Sequence, residues 1–150
     1  MYSKQKASQL RKNFWTSFGQ YMRPLRNADD ETVNWLNYKT GVNHLYFRMD
    51  ADSMHAGIGV EFCHADPSQQ QYHFEKFRQL ESLFHETMGE KWEWRLHTTD
   101  DDGKLVSRIS RELDGVNIFN TQDWQTIISF LKQRIIALDI FWRLVKERFE

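Results

Sequence analysis

The chain has a single cysteine, Cys63, among its 150 residues, so no internal disulfide can form. That fits a reducing compartment. Proline is nearly as scarce: Pro24 and Pro67 are the only two, and both fall between periodic stretches. The opening residues, MYSKQKASQLRKNF, lack the apolar core of a secretory leader. No apolar run approaches the ~18 residues that would suggest a membrane span. A cytoplasmic protein with no membrane partner is the expectation. Neither sign of charge dominates, because 20 Lys and Arg face 21 Asp and Glu for a net charge of −1. The whole molecule therefore has no field suited to gripping nucleic acid or an acidic membrane. The glycines form no phosphate loop. Gly57 and Gly59 flank Ile58 within an alternating stretch, a placement that suits close approach of another backbone.

What is present is enough apolar and aromatic material for a core. Hydrophobic residues make up 40% of the chain and aromatics 15%, which excludes low-complexity disorder as the default reading. A domain of this length buries roughly 68–70% of its unfolded surface, and one domain over residues 1–150 is expected.

The apolar period divides the chain. Ala7, Leu10, Phe14, Phe18 and Met22 follow helical spacing from about Ser3 until Pro24. From Val33 the period changes to two. VNWLNY predicts a short outer strand, and the runs Leu45–Asp50 and Ala56–Cys63 around a polar turn predict a hairpin. Asp66-Pro67 opens a second helix, with an N-cap residue followed by proline at the first helical position. Phe74, Phe77, Leu80, Phe84 and Met88 supply its stripe, and Gly89 its stop. KWEWRLH (91–97), the turn DDDG (100–103) and LVSRISREL predict a second hairpin. A last helix, from near Asn120 with Asp123 as a capping-box variant, carries Trp124, Ile128, Leu131, Ile135, Leu138, Trp142, Val145 and Phe149.

KWEWRLH is the stretch most like a site. As a helix it would point Trp92 and Trp94 about 200° apart. As a strand, Trp92, Trp94 and Leu96 share one face, and Glu93, Arg95 and His97 the other. The tryptophans then belong under the helices with Phe47, Ile58, Val60 and Ile109. The charged trio joins Arg48, Glu61, Arg108 and Glu112 on the uncovered face, either as cross-strand pairs in solvent or as a binding surface.

The search for chemistry yields little. Cys63, His64 and Asp66 place three metal-ligand types together, with His44 and His55 not far off, but one cysteine cannot build a multi-cysteine zinc centre and there is no HExxH helix. His73 and His85, twelve apart on one helix, cannot converge on one ion. Adjacent strand residues point to opposite faces, so His64 cannot activate Cys63. A hairpin nuclease site needs a lysine two residues after its second acid. Asp50 and Glu61 lie on neighbouring strands, but the residue two after Glu61 is Cys63. No catalytic, cofactor or metal residue is assigned.

Two surface features remain. Residues 1–28 hold six Lys and Arg and no acid, whereas residues 29–66 hold seven acids against Lys39 and Arg48. That basic helix suits phosphates or an acidic segment of its own or a neighbouring chain. On the last helix, Ile136, Ile140 and Leu144 recur every four residues away from the core stripe. Something must cover them: the amino-terminal helix, which has Trp15 and Tyr21 to spare, or a second copy of the chain.

The segments FWTSFGQYM, WLNYKTG, YFRMDAD, WEW, SRI, GVNIFN and IIALDIFW together resemble the bacterial domain-of-unknown-function family numbered 4268, over nearly the full chain. Members of that family occur alone or behind a restriction-endonuclease-like domain. The resemblance therefore implies an accessory role near bacterial DNA-processing or defence systems, and it assigns no catalytic residue. The expected fold is an α+β two-layer sandwich, with an antiparallel sheet of four to five strands and three helices in the order α-β-β-β-α-β-β-α. The expected function is a non-catalytic interaction or accessory module that meets a protein partner or itself and binds nucleic acid weakly. The alternative is an enzyme or nucleic-acid-processing domain with a polar site formed by Arg48, Glu61, Glu93, Arg95 and Arg108.

Overall fold

The structure, a computed structural model, describes residues 3–150. Eight elements follow one another: α1 (Lys4–Met22), β1 (Leu45–Ala51), β2 (His55–Phe62), α2 (Pro67–Arg78), α3 (Glu81–Met88), β3 (Glu93–Thr99), β4 (Leu105–Asp114) and α4 (Trp124–Val145). The strands form one antiparallel sheet in the order β1-β2-β4-β3. α4 lies on β1 and β2, α2 lies on β2, β3 and β4, and α1 and α3 pack against α4. The α+β class with an antiparallel sheet is as expected; among the described residues the sheet has four strands and the α-helices number four.

The missing strand is VNWLNY. Residues Trp35–Asn37 form a 3₁₀ turn instead, capped by Asn34, whose side chain accepts the Asn37 N–H at 3.2 Å. Trp35 and Tyr38, three residues apart, are both buried, which is the period of a 3₁₀ turn and not of a strand. Trp35 Nε1 donates to the Leu25 carbonyl at 3.0 Å. The extra helix comes from a break in the expected helix 67–88. There the Leu80 N–H bonds back to Phe77 O, one residue tighter than helical, and separates α2 from α3. Phe74, Phe77 and Phe84 stay fully buried across the break. The ends are as expected, with Asp66 accepting the Ser68 N–H at 2.8 Å and Gly89 at φ 71°.

The long connector between α1 and β1 is held by a buried carboxylate. Asp139 of α4, 1% exposed, accepts from the Ala28 N–H at 2.7 Å, the Tyr38 hydroxyl at 2.5 Å and Arg143 Nε at 3.4 Å. Arg143 also reaches Asp29 at 3.2 Å. Burial and the Asp139 hydrogen bond both raise the Tyr38 pKa, so its hydroxyl stays a donor. Such an arrangement satisfies a charge that would otherwise be costly to bury.

Phe47, Ile58, Val60, Ile109 and Trp92 lie in the core as expected, whereas Trp94 is half-buried. A bulge between Arg95 and Thr98 breaks the alternation of β3, with His97 at φ 53°. His97 therefore leaves the open face. Its backbone N–H donates to Ser107 Oγ at 2.9 Å and its ring meets the Pro67 carbonyl at 3.1 Å.

α1 does not cover the second stripe of α4. Phe14 meets Trp124 at 5.5 Å and Tyr21 meets Lys132 at 3.1 Å, and the helix then ends at Met22, ahead of Pro24. Trp15 packs instead on Phe14 and Phe18. Ile136 is half-buried, while Ile140 and Leu144 are 44% and 63% exposed.

Candidate functional site

The pleat of β2 sends Ala56, Ile58, Val60 and Phe62 into the core and Gly57, Gly59 and Glu61 to the open face. Cross-strand register then fixes three rows on that face. Tyr46, Glu61, Arg108 and Arg95 form one, Arg48, Gly59, Ser110 and Glu93 the next, and Asp50, Gly57 and Glu112 the third. Two bare glycines in the middle of a sheet of long side chains make a floor with walls. The result is a trough of about 440 Å³ running from Asp52 and His55 to Asp100 and Asp101.

Each glycine has a local reason. A Cβ on Gly57 would lie 2.6 Å from Asp50 Oδ1, and one on Gly59 would lie 3.0 Å from the Ile109 carbonyl. The backbone brought close to Gly59 is thus that of the neighbouring strand, while the space over Gly57 holds the Asp50 carboxylate.

All five residues expected on this face are there, but they are paired. Glu61, 7% exposed, accepts from Arg48 Nε at 3.2 Å and from Arg108 Nη2 at 2.9 Å. Arg48 also lies 4.5 Å over the Tyr46 ring. Arg95 stands opposite Arg108, a like-charge pair that Glu93 relieves by holding Arg95 at 2.8 Å. Asp50 and Glu61 are four residues apart along the sheet in register terms, or about 13 Å at ~3.3 Å per residue, too far to share one ion.

Asp50 and Glu112 flank Gly57 in the third row without a hydrogen-bond or ion-pair partner among the described residues. Enclosure by the trough raises the Asp50 pKa; Glu112 and Asp52 push it the same way, against His55 and Arg108. At the trough's end Asp52 Oδ1 lies 3.2 Å from His55 Nδ1. Of the walls, Asp100 and Asp101 were beyond reach of any alternation argument, because the bulge at His97 bends β3 before the turn that carries them.

The other clusters come apart. Cys63 donates to Glu61 Oε1 at 3.3 Å, and burial together with that carboxylate pushes its thiol up to about 11, away from thiolate chemistry. His64 stacks on His73 at 4.4 Å, and burial beside His73 and His44 brings its pKa down to about 4. Asp66 caps α2. Among the described residues no three His, Cys, Asp or Glu side chains are placed to hold one metal ion, and no helix is long and apolar enough to cross a membrane.

A family model for a domain of unknown function, DUF4268, matches residues 10–146. The chain belongs to that family. No curated protein and no solved structure matches it. In this DUF4268 chain the trough is lined by six carboxylates against three guanidiniums. All three guanidiniums are already engaged by Glu61 or Glu93. The side chains left to meet a ligand are therefore mainly acidic.

Proposed function

We propose that this DUF4268 chain is a non-catalytic interaction module whose open sheet face receives a cationic segment of a protein partner. The observation that carries this reading is the imbalance in the trough. Its arginines are ion-paired within the sheet, while Asp50 and Glu112 have no ion-pair partner among the described residues; Asp50 feels only the more distant charges of His55 and Arg108. A lysine or arginine side chain entering over the glycine floor would supply one, and complementary charge would guide its approach. An accessory role near bacterial DNA-processing or defence systems would suit such a module. The balanced net charge favours protein over duplex DNA as its partner.

Titration with a fluorescein-labelled hexalysine peptide tests the reading. We expect saturable binding that weakens with salt and is lost in the Asp50→Asn, Glu112→Gln double variant. Binding that survives this variant would overturn it.

One observation favours a second reading, an enzyme with its site on the same face. The raised Asp50 carboxyl beside Glu112 is the kind of pair that can hold a proton for general-acid work. A neutral-ligand substrate, turned over by the wild type and not by Asp50→Asn, would establish that reading in place of the first.

A further inference from the structure

Away from the sheet's charged rows, with no lining residue in common with the trough, the first helix carries a groove of about 670 Å³ between α1 and residues 32–36. Lys12, Thr16, Gly19 and Arg23 lie at spacings of four, three and four residues, which places them in one row along the helix. All four line the groove, whose apolar wall includes Trp15 and Leu36. Gly19 keeps the row low at its centre, and a Cβ there would only touch Leu36, at 3.5 Å. Lys12 and Arg23 are exposed and have no anionic partner among the described residues. α1 itself contains no acid that could neutralise them.

We infer that this groove is a second interaction surface, which takes an extended acidic peptide segment of a partner protein. The two free cations stand eleven residues apart, about 16 Å along a helix rising ~1.5 Å per residue. An extended chain covers that distance in about five residues at ~3.3 Å each. The matching segment therefore has two carboxylates about five positions apart, with a large apolar side chain between them to lie on Trp15 and Leu36. Charge complementarity excludes a basic segment. The apolar middle disfavours single-stranded nucleic acid, whose phosphates would lie over the whole length of a groove that offers cations only at its ends. The acidic trough and this groove thus select segments of opposite sign, and neither depends on the other.

The probe is a labelled serine peptide of eight residues, with glutamate at its second and seventh positions and leucine at its fourth, followed by fluorescence anisotropy. We expect saturable, salt-sensitive binding to the wild type that falls at least about tenfold in the Lys12→Glu, Arg23→Glu double variant. Both side chains are exposed, so the variant should keep its circular dichroism spectrum. Gly19→Phe, which fills the groove and leaves the charges in place, should weaken binding similarly. If Gly19→Phe fails to fold, Thr16→Trp, on the same exposed row, supplies the block and likewise leaves the charges in place. The inference is overturned if the wild type does not bind at millimolar peptide, if charge reversal leaves binding unchanged, or if a single-stranded oligothymidylate binds the groove more tightly than the peptide.

Discussion

Glu61 and Arg108 face each other across β2 and β4, with Nη2 of the arginine 2.9 Å from Oε2 of the carboxylate. The other carboxylate oxygen takes Arg48 from β1. One buried acid therefore joins three strands, and in doing so removes two arginines from the charge available to a ligand.

Replacing Glu61 by alanine should leave both guanidiniums without their partner. Arg48 and Arg108 have side chains 55% and 33% exposed, so water relieves part of the loss, and the cost should be about 1–2 kcal/mol. Urea denaturation measures it. The same variant should strengthen binding of an anionic peptide to the face, since both arginines become free.

The two floor glycines should respond differently to alanine. At Gly59 the added Cβ meets the Ile109 backbone at 3.0 Å, which cannot easily give way, and a loss of about 1–3 kcal/mol is expected. At Gly57 it meets the tip of the Asp50 side chain at 2.6 Å. Rotation of that side chain relieves the clash, so Gly57→Ala should cost less stability and more affinity for a basic peptide. Parallel denaturation and titration of the two variants check this ordering.

The fold was legible in the sequence wherever one local rule governed. Alternation placed Ile58, Val60 and Ile109 in the core and Arg48, Glu61 and Arg108 on the open face, because in those strands the pleat is unbroken. It failed at His97, where a bulge reverses the facing, and at Trp35, where a side-chain cap from Asn34 and three-residue burial replace a strand. The segment IIALDIFW lies within the family match, and the fold gives Asp139 in it a reason. Its three hydrogen-bond partners come from residues 28, 38 and 143, two of them remote in sequence and so beyond any local reading. The trough was half visible: the residue types on the face and their cross-strand pairing could be read, but the glycine floor and the acidic wall of Asp100 and Asp101 could not.

Acid should destabilise the protein partly through His64. Its pKa is about 4 in the fold against 6.5 as a free side chain, lowered by burial and then by His73 and His44. Above pH 6.5 both the folded and unfolded forms are neutral there, and its contribution to stability is full. As the pH falls from 6.5 towards 4 the unfolded chain takes up a proton that the fold does not, so stability declines. His64→Gln should flatten this limb between pH 6.5 and 4, as followed by denaturation at a series of pH values. An unchanged slope would place the acid sensitivity elsewhere.

Ile140 lies 44% exposed on α4 with Leu144 one turn on. Ile140→Glu should fold with its stability within about 0.5 kcal/mol of wild type, as for other surface substitutions. If Ile136, Ile140 and Leu144 form a partner seam, light scattering of the concentrated wild type should show self-association that this variant abolishes. A wild type that stays monomeric at high concentration would remove the seam.

The most direct test of the interaction reading is to map hexalysine binding by amide chemical shifts in ¹⁵N-labelled protein. We expect the largest changes at Gly57, Gly59, Ser110 and Glu112, which form the floor and wall of the trough, and little change along α1. Shifts confined to α1, or spread without preference over the surface acids, would contradict a receiving site on the open sheet face.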